Sequence, residues 1–178
     1  MRCLSIQQPF ASLIALHAKS IETRSRDFTG GYRGPLAIHA SKGKDYMHLC
    51  SKPLFSDALE HSGATIEQGI CYYDGWHLPM GAIVAVADLE DVVKTSDLES
   101  NWKVIWPHVN KAWPRCMLPG QRTIQERTKT ELVFGDYTPG RYMLLLSNVV
   151  ALPSPIPAKG RLGLWEFEME DPRGGKNP

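Results

Sequence analysis

Lys19, Glu22 and Arg24 are the densest group of ionisable side chains in this 178-residue sequence whose spacing suits chemistry. The stretch Ser20-Ile21-Glu22-Thr23-Arg24 alternates with period two, as a strand does. Glu22 and Arg24 therefore share one face, about 7 Å apart along the chain. Lys19 stands where a preceding helix gives way to that strand, and its long side chain can swing over the same face. A lysine beside a carboxylate can shuttle a proton or clamp an anion. The plainer alternative is a surface ion pair of little energetic worth.

Other segments carry weaker signals. In Gln7-Gln8-Pro9, a glutamine such as Gln8 either reads a base edge or satisfies helix-start amides. Ser41-Lys42-Gly43-Lys44 has amides and lysines able to hold a phosphate, but it lacks Walker spacing, and a solvated loop accounts for it equally well. Trp102, Ile105, Trp106, Val109 and Trp113 follow helical spacing with Lys103, Lys111 and Arg115 between them. Aromatics with basic neighbours suit single-stranded nucleic acid, at ~1–3 kcal/mol per stacked base. An apolar stripe of this kind is first of all a packing face. Tyr137, Arg141 and Tyr142 surround a Pro-Gly turn, where the tyrosines either stack on a ligand or plug one end of the fold.

No metal or cofactor is expected. The six histidines show no H-E-x-x-H, and Cys71 with His77 or Cys50 with His61 are single pairs that complete no tetrahedron. Asp88, Glu90 and Asp91 are a weak Mg²⁺ candidate, with a solvated strand end as the simpler reading.

The elements that position these residues follow from periodicity. Strands are expected near 2–6, 20–24, 36–40, 82–91, 141–150 and 164–168. Pro9 opens a helix whose buried face carries Phe10, Leu13, Ile14 and His17. Ser51 caps a second helix through Leu59 that Gly63 ends, and Ser96-Asp97-Leu98-Glu99 has capping-box spacing. Many short strands with few helices indicate a small α+β barrel, mostly antiparallel, with the chain ends close together.

Composition bounds the rest. Hydrophobic residues at 43% and charged residues at 22% are those of a folded chain with a real core. No apolar run approaches the ~18 residues of a membrane span. The N-terminus lacks a signal-peptide core, and four scattered cysteines form no disulfide framework, so a cytoplasmic location and no membrane partner are expected. The net charge is only +1, but it is unevenly spread. Residues 1–48 hold seven basic and three acidic groups, residues 101–130 six and one, and residues 55–100 one and nine. If the fold brings the two basic segments together they form a positive patch; otherwise they are scattered solvated charge.

Leu4-Ser5-Ile6-Gln7-Gln8-Pro9-Phe10-Ala11-Ser12-Leu13-Ile14 followed by Lys19-Ser20-Ile21-Glu22-Thr23-Arg24 resembles an ASCH (activating signal cointegrator homology) domain, whose hallmark is G-x-K-x-x-E-x-R. The resemblance continues through Tyr32-Arg33-Gly34-Pro35-Leu36-Ala37-Ile38-His39-Ala40-Ser41-Lys42, through Leu78-Pro79-Met80-Gly81 and Phe134-Gly135-Asp136-Tyr137, and ends at Gly163-Leu164-Trp165. His17 replaces the motif glycine.

The resemblance implies a PUA-like small β-barrel of five to six strands with flanking helices. It implies a single domain over residues 1–169, with 95–133 as a variable Trp-rich insertion and 170–178 as a flexible tail. It also implies a cleft lined by the motif and binding RNA, single-stranded nucleic acid or a nucleoside, with Gln8, Lys19, Glu22, Arg24, Ser41, Lys42 and Tyr142 as ligand contacts. Some small ASCH proteins are amidohydrolases acting on N4-acetylcytidine. In an enzyme of that kind Lys19 and Glu22 would be the catalytic pair, although the family's threonine is Glu22 here. A protein-interaction module is the third reading.

Overall fold

The computed structural model describes residues 1–61, 70–73, 76–112 and 123–174. The elements in chain order are β1 (Arg2–Ile6), α1 (Phe10–Ala15), β2 (Ile21–Arg24), β3 (Gly34–Ala40), a 3₁₀ turn (Met47–Ser51) and α2 (Pro53–His61). They continue with β4 (Ile70–Tyr73), β5 (Trp76–Pro79), β6 (Ala82–Lys94), α3 (Leu98–Ala112), α4 (Ile124–Val133), β7 (Tyr142–Pro157) and β8 (Leu164–Glu166).

Six strands form one curled sheet in the order β2-β7-β6-β3-β1-β8, while β4 and β5 make a separate hairpin. Every neighbouring pair in the large sheet is antiparallel except β1 with β3. The result is a half-barrel with flanking helices, the PUA-like architecture. Met1 and Phe167 exchange backbone hydrogen bonds of 2.7 and 3.0 Å, which brings the start of the chain beside the last strand. β2 and β8 remain the two edges, so the curl is not closed by a ladder.

The sheet curls because its long strands are irregular. β6 shifts register against β7 at three places, and against β3 between Ile38 and His39. Each such irregularity adds local twist and bends the strand. The first six residues of β6, Ala82 to Ala87, are all buried because both faces of the sheet are covered there. On the concave side α1 contributes Ala11, Ile14 and Ala15 to a core shared with Leu4, Ile6, Leu36, Ile38, Leu89 and Leu144. The other side of α1 meets α2 and the end of α4 through Leu13, Met47, Phe55, Leu59 and Phe134. α3 lays Ile105 and Val109 on Ile21, Met143 and Leu145.

The Trp-rich segment divides accordingly. Ile105, His108 and Val109 face inward, Trp102 is half-buried, and Trp106 is exposed. Trp113, Arg115, Cys116, Gly63 and residues 175–178 lie outside the described residues. The Asp97 carboxylate, not the Ser96 hydroxyl, caps the start of α3, accepting from the Ser100 amide at 2.9 Å. Asp88, Glu90 and Asp91 each face a cation instead of one another: Arg173, Lys111 and Arg33. No group of three or more potential metal ligands occurs among the described residues. Among them, too, no helix is long and apolar enough to cross a membrane.

Candidate functional site

α1 is only six residues long and ends abruptly. His17 adopts φ of 60°, the left-handed conformation that a glycine takes most easily, while the amides of Ala18 and Lys19 both return to the Leu13 carbonyl. This reversal turns Lys19 inward. Its side chain is 1% exposed, and its ammonium donates to the carbonyls of Ile21 and, at 2.7 Å, Phe134. The third direction faces Glu22, whose Oε2 is 3.8 Å away. Phe10 lies under the same ammonium, with 5.7 Å from Nζ to its ring centroid. An ammonium has three protons and no lone pair, so an acceptor faces each of them here. Lys19 joins the end of α4 to the start of β2 and sits beneath the cleft wall.

Glu22 is buried at the cleft wall, and Arg24 beside it is partly exposed. Arg24 Nε lies 3.1 Å from Glu22 Oε1, an approach of charges without an aligned hydrogen bond. One terminal nitrogen of Arg24 donates to the Ser5 carbonyl at 2.7 Å. Since β2 is one edge of the sheet and β1 stands next to the other, this bond spans the open side of the half-barrel. Arg24 is thus a clasp as well as a wall residue.

The cleft beside them has a volume of about 490 Å³. Glu22, Thr23 and Arg24 form one wall, Phe134 to Asp136 with Arg141 another, and Gln7, Phe10 and Tyr46 a third. Arg141 pairs with Asp136 at 3.3 Å. The Asp136 carboxyl is held below its ordinary range by the Thr138 hydroxyl and amide, with the Arg141 charge adding to the effect. Among the lining residues two cations, Arg24 and Arg141, face two carboxylates, Glu22 and Asp136, and beneath the wall Lys19 is matched by the buried Glu131. Gly135 makes the closure possible: a Cβ there would lie 2.7 Å from the Tyr137 ring and 3.2 Å from Thr23.

The sequence-derived site residues separate in space. Lys19, Glu22 and Arg24 come together. Gln8 does not join them: it is wholly buried, donating to the Pro79 carbonyl at 2.7 Å and accepting from the Ser12 amide at 3.0 Å. Its neighbour Gln7 lines the cleft instead, with a buried Oε1 that has no hydrogen-bond partner among the described residues. Tyr142 pairs with Arg24 in the ladder but packs on the main core. Ser41 and Lys42 line a second cavity on another side of β1, with Ser5, His39 and the loop after β7.

A scan against protein-family models and a search of curated proteins both return no match. Among solved structures, an ASCH protein from Zymomonas mobilis is similar at a TM-score of 0.45 and 14% identity, over 94% of this chain and 87% of that one. Two single-substitution variants of the same protein give TM-scores of 0.43 and 0.41 at 15% and 14% identity, again over 94% of this chain and over 89% and 87% of theirs. Similarity at this distance says nothing of what this chain binds.

Glu131 is the residue that sequence reasoning missed. It comes from α4, is 2% exposed, and accepts from the Ser20 amide at 2.8 Å, the Ser20 hydroxyl at 3.0 Å and the Ile21 amide at 3.1 Å. The Tyr137 hydroxyl approaches the same carboxylate at 3.4 Å. Burial, and then the charge of Glu131, push the Tyr137 phenol well above its ordinary range, so it remains a donor. Glu131 and Lys19 together fix the strand that carries Glu22. The one available signal was the capping box at Thr123 and Glu126, which predicts a helix reaching Glu131.

Proposed function

We propose that this chain is a binding module of the ASCH kind that takes a nucleobase, from RNA or from a free nucleoside, into the cleft beside Glu22 and Arg24. The observation that carries this reading is the state of Lys19. Its Nζ is spent on two carbonyls, faces a carboxylate and does not line the cleft, so it supports the wall and is not placed to take a proton from water there. What the cleft offers a ligand is recognition. Glu22 is an acceptor for a base amino group, and Tyr46, 45% exposed, and Phe10 offer ring faces. Arg24 and Arg141 supply the cationic edge that a phosphate backbone favours.

The test measures binding of cytidine and of a short single-stranded RNA by calorimetry, with release of acetate from N4-acetylcytidine assayed in parallel. Glu22→Gln is expected to weaken binding about tenfold, the loss of one hydrogen bond to a charged group. Binding unchanged in Glu22→Gln overturns the reading. Acetate release by the wild type that disappears in Glu22→Gln replaces it with the amidohydrolase.

A further inference from the structure

The second cavity has a volume of about 780 Å³, within the range of small-molecule sites. It lies between the end of β3, the turn before β6 and the loop joining β7 to β8. Its charged lining is Lys42, Lys159 and Arg161, with no carboxylate among the lining residues. None of the three is ion-paired among the described residues, whereas Lys19, Arg24, Arg33, Lys111, Arg141 and Arg173 each face an acid. Three like charges with no acid among them give the concavity a positive potential that favours an anion there.

The floor of the cavity is polar and ordered. His39 is 1% exposed, with Nε2 3.1 Å from the Ala158 carbonyl and Nδ1 3.1 Å from Ser5 Oγ. Nε2 must carry the proton to meet a carbonyl, so Nδ1 accepts from the Ser5 hydroxyl. The Trp165 indole N–H donates to the same hydroxyl oxygen at 3.1 Å. These groups satisfy one another and bring no negative charge to the cavity. Ser41 Oγ, in the wall, has no hydrogen-bond partner among the described residues. Gly160 lets the loop lie flat over the floor, since a Cβ there would be 2.5 Å from His39 Cε1 and 2.9 Å from Ser5 Oγ.

We infer that this cavity is a phosphate-binding site, separate from the Glu22 cleft, that takes a phosphomonoester of about nucleotide size. Arg161 offers a planar fork to two phosphate oxygens, and Lys42 and Lys159 offer compact charges. Pro157, Ala158 and Leu162 give the remainder of the ligand an apolar wall. The phosphate belongs either to a free nucleotide or to the 5′ end of an RNA strand. The chemistry is the same in both.

The experiment compares cytidine 5′-monophosphate with cytidine, and a 5′-phosphorylated RNA hexamer with its 5′-hydroxyl form, by calorimetry at one fixed salt concentration. The phosphate is expected to tighten binding at least tenfold in one or both pairs. An advantage in the mononucleotide pair alone identifies a free nucleotide; one in the hexamer pair identifies a strand end. The double variant Lys159→Ala/Arg161→Ala, in an exposed loop and checked for an unchanged melting temperature, is expected to erase the advantage. Lys103→Ala, a surface cation on α3, is expected to retain it. A phosphate advantage below threefold in both pairs overturns the inference, as does an advantage that survives the double variant. Because the readout is a ratio within each pair, it stands or falls separately from base recognition at Glu22. An absence of measurable binding for cytidine and the 5′-hydroxyl hexamer, with the phosphorylated forms bound, removes the Glu22 reading and keeps this one.

Discussion

Replacing Lys19 by methionine separates a structural lysine from a chemical one. The substitution keeps most of the side-chain volume and removes the ammonium. The carbonyls of Ile21 and Phe134 then lose a donor in a site that is 1% exposed, and Glu22 loses one of its two cations. Leaving a buried polar group unpaired costs about 1–3 kcal/mol, and breaking a buried charge pair by removing one partner about 3–5 kcal/mol. Relief from burying an ammonium offsets part of the sum. The expected net loss is about 3–5 kcal/mol, a large part of the ~5–15 kcal/mol that holds a domain together. With a urea slope of about 2 kcal/mol per molar, the unfolding midpoint falls by about 1.5–2.5 M. Lys19→Arg keeps the charge but forces a planar fork into a filled site, so it is expected to cost about 1–3 kcal/mol. A loss below about 1 kcal/mol for Lys19→Met, with the slope unchanged, would refute the reasoning. It would mean that the two carbonyls have other donors and that the ammonium is free for chemistry.

Three further outcomes follow from the same packing. Glu131→Gln leaves one acceptor oxygen where the amides of Ser20 and Ile21 need two; the expected cost is about 1–3 kcal/mol, read as a melting temperature lower by about 3–10 °C. Burial holds the His39 imidazole below its ordinary 6.5, against a smaller upward pull from the Ala158 carbonyl. The unfolded chain therefore binds a proton that the folded chain refuses, so stability is lost as pH falls below about 6.5, by at most about 1.4 kcal/mol per pH unit. Urea midpoints from pH 7.5 to 5 check this, and a flat profile excludes it. Cys3 and Cys50 are buried, which raises both thiols to about 11, so neither is expected to react with a thiol reagent at pH 8 until the protein unfolds. Peptide mapping of the native labelled protein checks the last point, and label on either residue counts against it.

Local chemistry was legible along the chain wherever neighbours in sequence are also neighbours in space. Period-two alternation located the six strands of the large sheet, and spacing alone put Glu22 beside Arg24 on one face. His17, expected on the buried face of the first helix, instead lies beyond its end in the left-handed conformation that the motif's glycine would take most easily. Periodicity missed α4 because Ile124–Val133 is largely polar, and its helix is held by a capping box and by single contacts such as Glu131. The depth of Lys19 was beyond reach as well. It depends on Phe134, more than a hundred residues away, delivering its carbonyl to the end of α1.

The two glutamines and the Ser41-Lys42 loop show the same division. A helix start places Gln7 and Gln8 together, but only the packing of Pro79 against α1 decides that Gln8 is spent inside and Gln7 faces the cleft. Likewise Lys42 lies far in sequence from Lys159 and Arg161, and only the approach of the end of β3 to the loop after β7 gathers the three around one cavity. The sequence by itself determined the strands of the large sheet and the charged motif, but not the β4–β5 hairpin, because the former depend on local sterics and on a repeat of two residues. Tertiary structure decided which charges are buried, which are paired and which stand open to a ligand, because burial and pairing are set by contacts between segments that no local pattern records.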